Sequence, residues 1–445
     1  LGGAHAGITG ARAHIKLATE QRGDEQALNK LVVRGGRPLV GRIRASGAKN
    51  STLAILCACI LTESEVILEN VPNISDIRVM LEIISCLGLR AYWLDEDTLH
   101  ITGAARVSGE TPHELAKKLR ASNLLLGPLM ARKRRVRVSL PGGCNIGSRP
   151  MDLHFKGLNS LGADLDIRSG YIEGRVPGRL QGAKVYLDFP SVGATENLMM
   201  AAVLAEGQTV LENVAKEPEV VDLANFLNAM GAKIRGAGTD IIRVNGVPAL
   251  GNPVRYSVIP DRIEAGTFMV AAAATGGDVT LERVIPPHLE PLSAKLREAN
   301  VRVEEREDSI RVSTPAPLLP INIKTMPYPG FATDLQSQMM TLLSTVPGTS
   351  IIVENIFENR FQVAQELRRM GAQIEVEGRV AIIEGVPRLQ GASVRATDLR
   401  AGAALVIAGL MAEGVTEVHN AHFVARGYRD FEARLNSLGA DVERK

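Results

Sequence analysis

Six short polar clusters recur along this chain, each opening a stretch rich in Ala, Met and Leu. They are Ser46-Gly47-Ala48-Lys49-Asn50, Arg120-Ala121-Ser122-Asn123, Ser191-Val192-Gly193-Ala194-Thr195, Pro260-Asp261-Arg262, Thr333-Asp334-Leu335-Gln336 and Thr397-Asp398-Leu399-Arg400. Ser, Thr, Asp and Asn are ordinary helix N-caps, so capping explains part of the pattern. It does not explain Lys49, Arg120, Arg262 or Arg400. A helix start offers free N–H groups and the positive end of the helix dipole, and a cation added there makes a site for phosphate or carboxylate. A second set of basic residues falls in loops: Arg149 in the segment from Cys144, Arg360 after Asn359, and Arg426. Basic residues recurring in two phases of one repeat point to a shared polyanionic ligand.

The elements that position these residues form a repeat. Its marker is a helix end followed by a strand: Cys86-Leu87-Gly88, Ser160-Leu161-Gly162-Ala163, Ala229-Met230-Gly231-Ala232, Glu298-Ala299-Asn300, Arg369-Met370-Gly371-Ala372 and Ser437-Leu438-Gly439-Ala440. The period is roughly 70 residues, long but still the signature of a repeat architecture. Gly ends five of the helices, where a left-handed cap is needed, and Asn300 takes its place in the fourth. Alternating strands such as Thr209 to Asn213 and Ile351 to Asn355 precede amphipathic helices such as 222–229 and 363–369. The Ala/Met/Leu helices, for example 199–205 and 269–275, have no broad polar face and are expected to be buried. One unit therefore reads helix, strand, helix, strand, strand. Six copies predict an α/β (α+β) protein of two similar domains, each with three copies around a pseudo-threefold axis and its small-residue helices packed inside.

Composition narrows the function classes. At 445 residues the chain exceeds one ordinary core, and a net charge of +2 gives no global pull toward nucleic acid or anionic membrane. The apolar runs 53–61 and 403–411 are too short to span a bilayer. Residues 1–29 lack the apolar centre of a secretory signal and are expected to be a loose polar extension. Cys57, Cys59 and Cys86 sit in apolar segments and read as small buried hydrophobes, with no metal spacing and no disulfide framework, which fits a reducing compartment. With aromatics at 4%, the basic run Arg132-Lys133-Arg134-Arg135 reads as a solvated turn, not a nucleic-acid platform. His154 reads equally as a ligand contact or as the start of an outer helix.

Five ordered motifs carry a resemblance. Ser46 to Asn50, Leu140 to Pro150 (LPGGCNIGSRP), Ser191 to Thr195, Phe357 to Arg360 and Ala396 to Arg400 together resemble the UDP-N-acetylglucosamine branch of the enolpyruvyl transferase family, from about Leu31 to the C-terminus. The resemblance implies two inside-out α/β domains joined by two crossings: 51–258 as the first, 30–50 with 259–445 as the second. It implies a cytoplasmic enzyme that closes over UDP-N-acetylglucosamine, adds phosphoenolpyruvate to its 3-hydroxyl and expels phosphate. No metal, cofactor, nucleic acid or membrane is expected.

Residue by residue, the resemblance puts Lys49, Arg149 and Arg426 around phosphoenolpyruvate, with Asn50, Arg360 and Arg400 completing the lining. Arg120, the run Arg149-Pro150-Met151-Asp152-Leu153, and Ser191 with Val192 match positions holding the nucleotide and sugar. Ile356 joins the substrate-binding set. Asp334 matches a general base beside the 3-hydroxyl, Asp398 a second carboxylate near the reacting carbons, and Cys144 a proton donor whose thiol should be accessible and partly activated near Arg149. Two departures stand out. Leu124 stands where some members carry a Trp, and Phe189 stands where some members place a Lys that contacts the diphosphate, although other members share the Phe-Pro form. The sister activity on shikimate 3-phosphate shares the fold, but Cys144 and the form of 46–50 point away from it. A silent sugar-nucleotide sensor would be expected to lose Cys144, Asp334 or Lys49, and a bare scaffold would not need cations at repeated helix starts.

Overall fold

A computed structural model of the chain describes residues 30–140, 142, 146 and 151–445. The N-terminal extension, Cys144, Arg149 and Pro150 lie outside the described residues. Six small sheets form among the described residues, five of four strands and one of three. In the five, an edge strand runs parallel to its neighbour and the other pairings are antiparallel, as where Lys184–Tyr186 joins Gln208–Glu212 and the latter pairs with Ile241–Asn245.

Each sheet is fed by one apolar and one amphipathic helix. The apolar ones are buried all round, as expected of helices without a polar face: Leu399–Met411 buries every residue from Arg400 to Leu410, and Lys49–Ala58 buries all but Asn50. The amphipathic ones, such as Ser75–Cys86 and Pro218–Ala229, bury one stripe. All six markers adopt the left-handed conformation the sequence required: Gly88, Gly162, Gly231, Gly371 and Gly439, with φ between +89° and +114°, and Asn300 at +67°.

The short edge strands escaped the sequence reading. Lys184–Tyr186, Val254–Ser257, Ile323–Lys324 and Ser393–Arg395 each precede an apolar helix. With two to four residues and one buried side chain apiece, they are too short to show a period. Two other expectations need correction. Cys86 is exposed, because it falls on the outward side of the last turn of its helix. Arg132 is no solvated turn residue: its guanidinium donates to the carbonyls of Ile60 (2.8 Å) and Ala104 (3.1 Å).

Two separate cores result. One gathers residues between Ala48 and Val258, the other residues between Leu31 and Ala45 with those between Ile263 and Val442. The N-terminal strands explain the split. Lys30–Arg34 lies between Val415–His419 and Asp441–Arg444, and Val40–Arg44 pairs with Asp278–Glu282. The chain crosses between the cores at residues 45–48 and 258–261, and the crossings hold each other through Ala48 N–H to Ile259 O and Asp261 N–H to Ser46 O, both 2.7 Å. Gly47 is needed there, since a Cβ would fall 1.6 Å from the Asn70 carbonyl oxygen.

Candidate active site

Lys49 and Arg426 come from the two ends of the described chain and meet on one carboxylate. Lys49 opens its apolar helix, and Arg426 ends the short 3₁₀ helix Ala421–Arg426. Between them lies Asp76, in the first turn of Ser75–Cys86, where the helix dipole favours an anion. Asp76 Oδ2 is 2.8 Å from Lys49 Nζ and Asp76 Oδ1 is 2.8 Å from Arg426 Nε. Lys49 and Asp76 are both buried, at 7% and 4% exposure. Burial alone would raise the Asp76 pKa, but the Lys49 and Arg426 cations outweigh it and hold the carboxyl below its ordinary value. Sequence reading missed Asp76. Its signal was weak, one Asp after Ser75 at a helix start, where a structural role is the usual one.

A second cluster surrounds Asp334. Its Oδ1 lies 2.9 Å from Arg360 Nη2, and its Oδ2 lies 3.1 Å from both Nε and Nη2 of Arg400. Asp334 is not the cap of its helix: Ala332 holds that position, with no side-chain cap bond. Both guanidiniums are buried, and Arg360 Nε and Arg400 Nη1 find no acceptor among the described residues. An unsatisfied buried donor costs about 1–3 kcal/mol, a cost that an anionic ligand would remove. The loop bearing Ile356 and Arg360 is held by Glu354, 1% exposed, which accepts from Thr325 and Thr333 hydroxyls and from the N–H groups of Ile356 and Phe357. Glu354 also escaped the sequence reading, because in sequence it is one more acidic strand end like Glu69 and Glu212.

The remaining residues divide by position. Asp398 caps Leu399–Met411 through Oδ1, accepting from Arg400 N–H (2.8 Å) and Ala401 N–H (3.1 Å). Asn50 is exposed on the first turn of its helix. Arg120 begins the 3₁₀ helix Arg120–Leu125, and Ser191 caps Val192–Ala202 by accepting from Ala194 N–H. Met151, Asp152 and Leu153 surround the start of Asp152–Ser160, where Met151 Sδ is 3.6 Å from Asn123 Nδ2. Ile146 O accepts the Asn359 N–H at 3.1 Å, which ties Ile146 to the residue beside Arg360. Arg262 is the exception among the helix-start cations. Glu219 grips it at 3.0 and 3.3 Å, so it is a strut between the two cores and not an open anion site.

His154 is settled by burial. It is 4% exposed and its Nδ1 lies 3.0 Å from Asn197 Nδ2. Burial, then the charge of Arg120, lowers its pKa to about 4. Because the folded value lies below the ordinary 6.5, the unfolded chain binds the extra proton first. Folding stability should therefore be full above pH 6.5 and fall as pH drops toward 4, by about 3 kcal/mol. Urea melts across that range should show this slope, and His154→Gln should flatten it.

The sequence pattern of EPSP synthase (3-phosphoshikimate 1-carboxyvinyltransferase) matches residues 33–435. This chain belongs to that family. Within the family, it is 57% identical over 420 residues to UDP-N-acetylglucosamine 1-carboxyvinyltransferase 2 of Carboxydothermus hydrogenoformans, covering 94% of this chain and 99% of the relative. It is 54% identical to UDP-N-acetylglucosamine 1-carboxyvinyltransferase 1 of Caldanaerobacter subterraneus subsp. tengcongensis, over the same shares of each chain. Among solved structures, the enolpyruvyl transferase NikO from Streptomyces tendae matches at a TM-score of 0.84 and 27% identity, over 94% of this chain and 99% of that one. EPSP synthase from Acinetobacter baumannii matches at a TM-score of 0.73 and 20% identity, over 94% and 100%, which shows the family's mixed α/β fold. No helix among the described residues is long and apolar enough to cross a membrane.

Proposed function

We propose that this chain transfers the enolpyruvyl group of phosphoenolpyruvate to the 3-hydroxyl of UDP-N-acetylglucosamine, releasing phosphate, the first committed step of peptidoglycan synthesis. The observation that carries it is the near full-length similarity to relatives bearing the name of this activity. A carboxyvinyl transfer from phosphoenolpyruvate needs buried cations for a carboxylate and a phosphate. Lys49, Arg426, Arg360 and Arg400, with two unsatisfied guanidinium nitrogens, fit that need.

In the proposed chemistry, Asp334 takes the 3-hydroxyl proton as that oxygen bonds to C2 of phosphoenolpyruvate, while a proton from Cys144 arrives at the methylene carbon. Loss of a methyl proton and of phosphate from the tetrahedral intermediate then regenerates the double bond. Lys49, Arg149 and Arg426 hold phosphoenolpyruvate, with Asn50, Arg360 and Arg400 beside them and Asp398 near the reacting carbons. Arg120, residues 149–153, Ser191, Val192 and Ile356 receive the nucleotide and sugar. Residues 51–258 would form one domain and 30–50 with 259–445 the other, each an inside-out set of three repeats about a pseudo-threefold axis. Support comes from the two cores, three sheets to each, and from the buried apolar helices. The cytoplasm is the proposed location, supported by the unpaired Cys57, Cys59 and Cys86.

Fosfomycin, an epoxide bearing a phosphonate, tests the thiol. Cys57 and Cys59 are buried, and burial pushes both thiols up, so neither should react. Peptide mapping should find the adduct on Cys144, faster with UDP-N-acetylglucosamine present. An adduct on exposed Cys86 instead would remove Cys144 from the site. Cys144→Asp should keep turnover and escape the drug, because a carboxylic acid still donates a proton but is a poor nucleophile toward the epoxide.

A further inference from the structure

Asp261 serves two helices with one carboxylate. Its Oδ1 caps Arg262–Ala274, accepting from Ile263 N–H at 2.8 Å and Glu264 N–H at 2.9 Å. Its Oδ2 accepts the Lys49 N–H at 3.1 Å, across 212 positions of sequence. The helix Arg262–Ala274 packs into one core and Lys49–Ala58 into the other. Ala48 holds the cap position before Lys49 and offers no side-chain acceptor to the free N–H groups of that helix start. The acceptor missing there is supplied from the second crossing. Asp261 is 6% exposed, so water competes little for either bond.

The same helix start grips residue 46 at two more points. Asp261 N–H donates to Ser46 O, and buried Glu264 accepts the Ser46 N–H, both at 2.7 Å. Arg434 pairs with Glu264 and donates to Ser46 Oγ at 3.1 Å. Residues 46 to 49 are thus clamped to the second core just where the Lys49 side chain leaves for Asp76. Asp261 also lies close to the Asp334 cluster. Burial opposes the charge on Arg400, and Tyr428, Asp334 and Asp261 outweigh it, holding its pKa above the ordinary value.

A carboxylate so placed supports the fold simply by capping. Its hold on Lys49 does more, because the N–H it accepts and the ammonium that meets Asp76 belong to one residue. Resting on the proposed function, we infer that Asp261 is a positioning residue for Lys49, setting from one core the ammonium with which the other core meets phosphoenolpyruvate.

A double-mutant cycle separates positioning from support. Asp261→Asn keeps an oxygen for the cap of Arg262–Ala274, where Asn serves as well as Asp. It turns an NH₂ toward the Lys49 N–H, so the bond between the two helices is lost. At saturating UDP-N-acetylglucosamine, phosphate release should show kcat/KM for phosphoenolpyruvate down about tenfold, the worth of one hydrogen bond to a charged group. Lys49→Ala removes the ammonium but keeps the N–H that Asp261 holds. In that background Asp261→Asn should change kcat/KM by less than about twofold, while lowering the Tm by the same amount in both. Asp261→Ser, whose single hydroxyl oxygen can cap but cannot hold both helices, should show the same pattern and serves if the Asn variant does not fold. Asn228→Ala, which removes two hydrogen bonds to the Ile234 backbone (3.0 and 2.8 Å), is the destabilised control and should lower the Tm with kcat/KM unchanged. An equal loss of kcat/KM in both Lys49 backgrounds would send the effect through Arg400 or through folding and overturn the assignment, as would unchanged kcat/KM in Asp261→Asn. An unmodified chain that releases no phosphate from the two substrates would instead overturn the function on which it rests.

Discussion

Replacing Asp334 with Asn should leave UDP-N-acetylglucosamine binding within about tenfold while turnover falls roughly 10²–10⁴-fold, the usual worth of general acid–base catalysis. Asparagine keeps the size and one acceptor oxygen but cannot take the 3-hydroxyl proton. The simplest competing role, capping the helix, is closed off, because Ala332 holds the cap position and the Asp334 carboxylate points to Arg360 and Arg400. What remains is whether the carboxylate moves a proton or only orders two guanidiniums. Calorimetry and a phosphate-release assay on the single variant decide between the roles: turnover within tenfold of the unmodified chain removes the base.

The second large effect is expected at the cations bound to Asp76. Lys49→Ala and Arg426→Ala should each cost about 2–5 kcal/mol of phosphoenolpyruvate binding or transition-state stabilisation, the range for truncating one partner of a desolvated charge pair. Arg134→Ala, on an exposed stretch, should change almost nothing. Asp76→Asn should behave differently from either. It leaves Lys49 and Arg426 without their buried carboxylate, so the chain should lose about 3–5 kcal/mol of stability. Phosphoenolpyruvate supplies replacement negative charge, so it should raise the Tm of Asp76→Asn more than that of the unmodified chain. Equal losses of activity at Lys49, Arg426 and Arg134 would mean a diffuse positive field in place of a built site.

What the sequence disclosed was whatever repeats. A left-handed residue at each marker, a buried apolar helix and an amphipathic one are imposed by backbone geometry and by water, and each recurs often enough to stand out. The cations at helix starts were legible for the same reason. Their partners were not. Asp76 and Glu354 are single carboxylates whose meaning depends on residues 27 to 350 positions away in one case and on two hydroxyls in the other. Arg262 shows the converse failure. It fits the repeat as well as Arg400 does, but Glu219 neutralises it. Composition and spacing count charges, and only the fold pairs them.

The first and last described residues are joined: Lys30 N–H donates to Lys445 O at 2.8 Å, and Lys445 N–H returns to Lys30 O at 2.9 Å. This has a consequence for synthesis on the ribosome. The core between Ala48 and Val258 is complete once that stretch has emerged, and it can fold while translation continues. The strands Lys30–Arg34 and Val40–Arg44 emerge earlier yet must wait, the first for Val415–His419 and Asp441–Arg444, the second for Asp278–Glu282. Loop-closure entropy makes such distant pairing slow. The nascent chain therefore carries two unpaired strands past an already folded body, and these strands, not the finished enzyme, are where a chaperone would be needed.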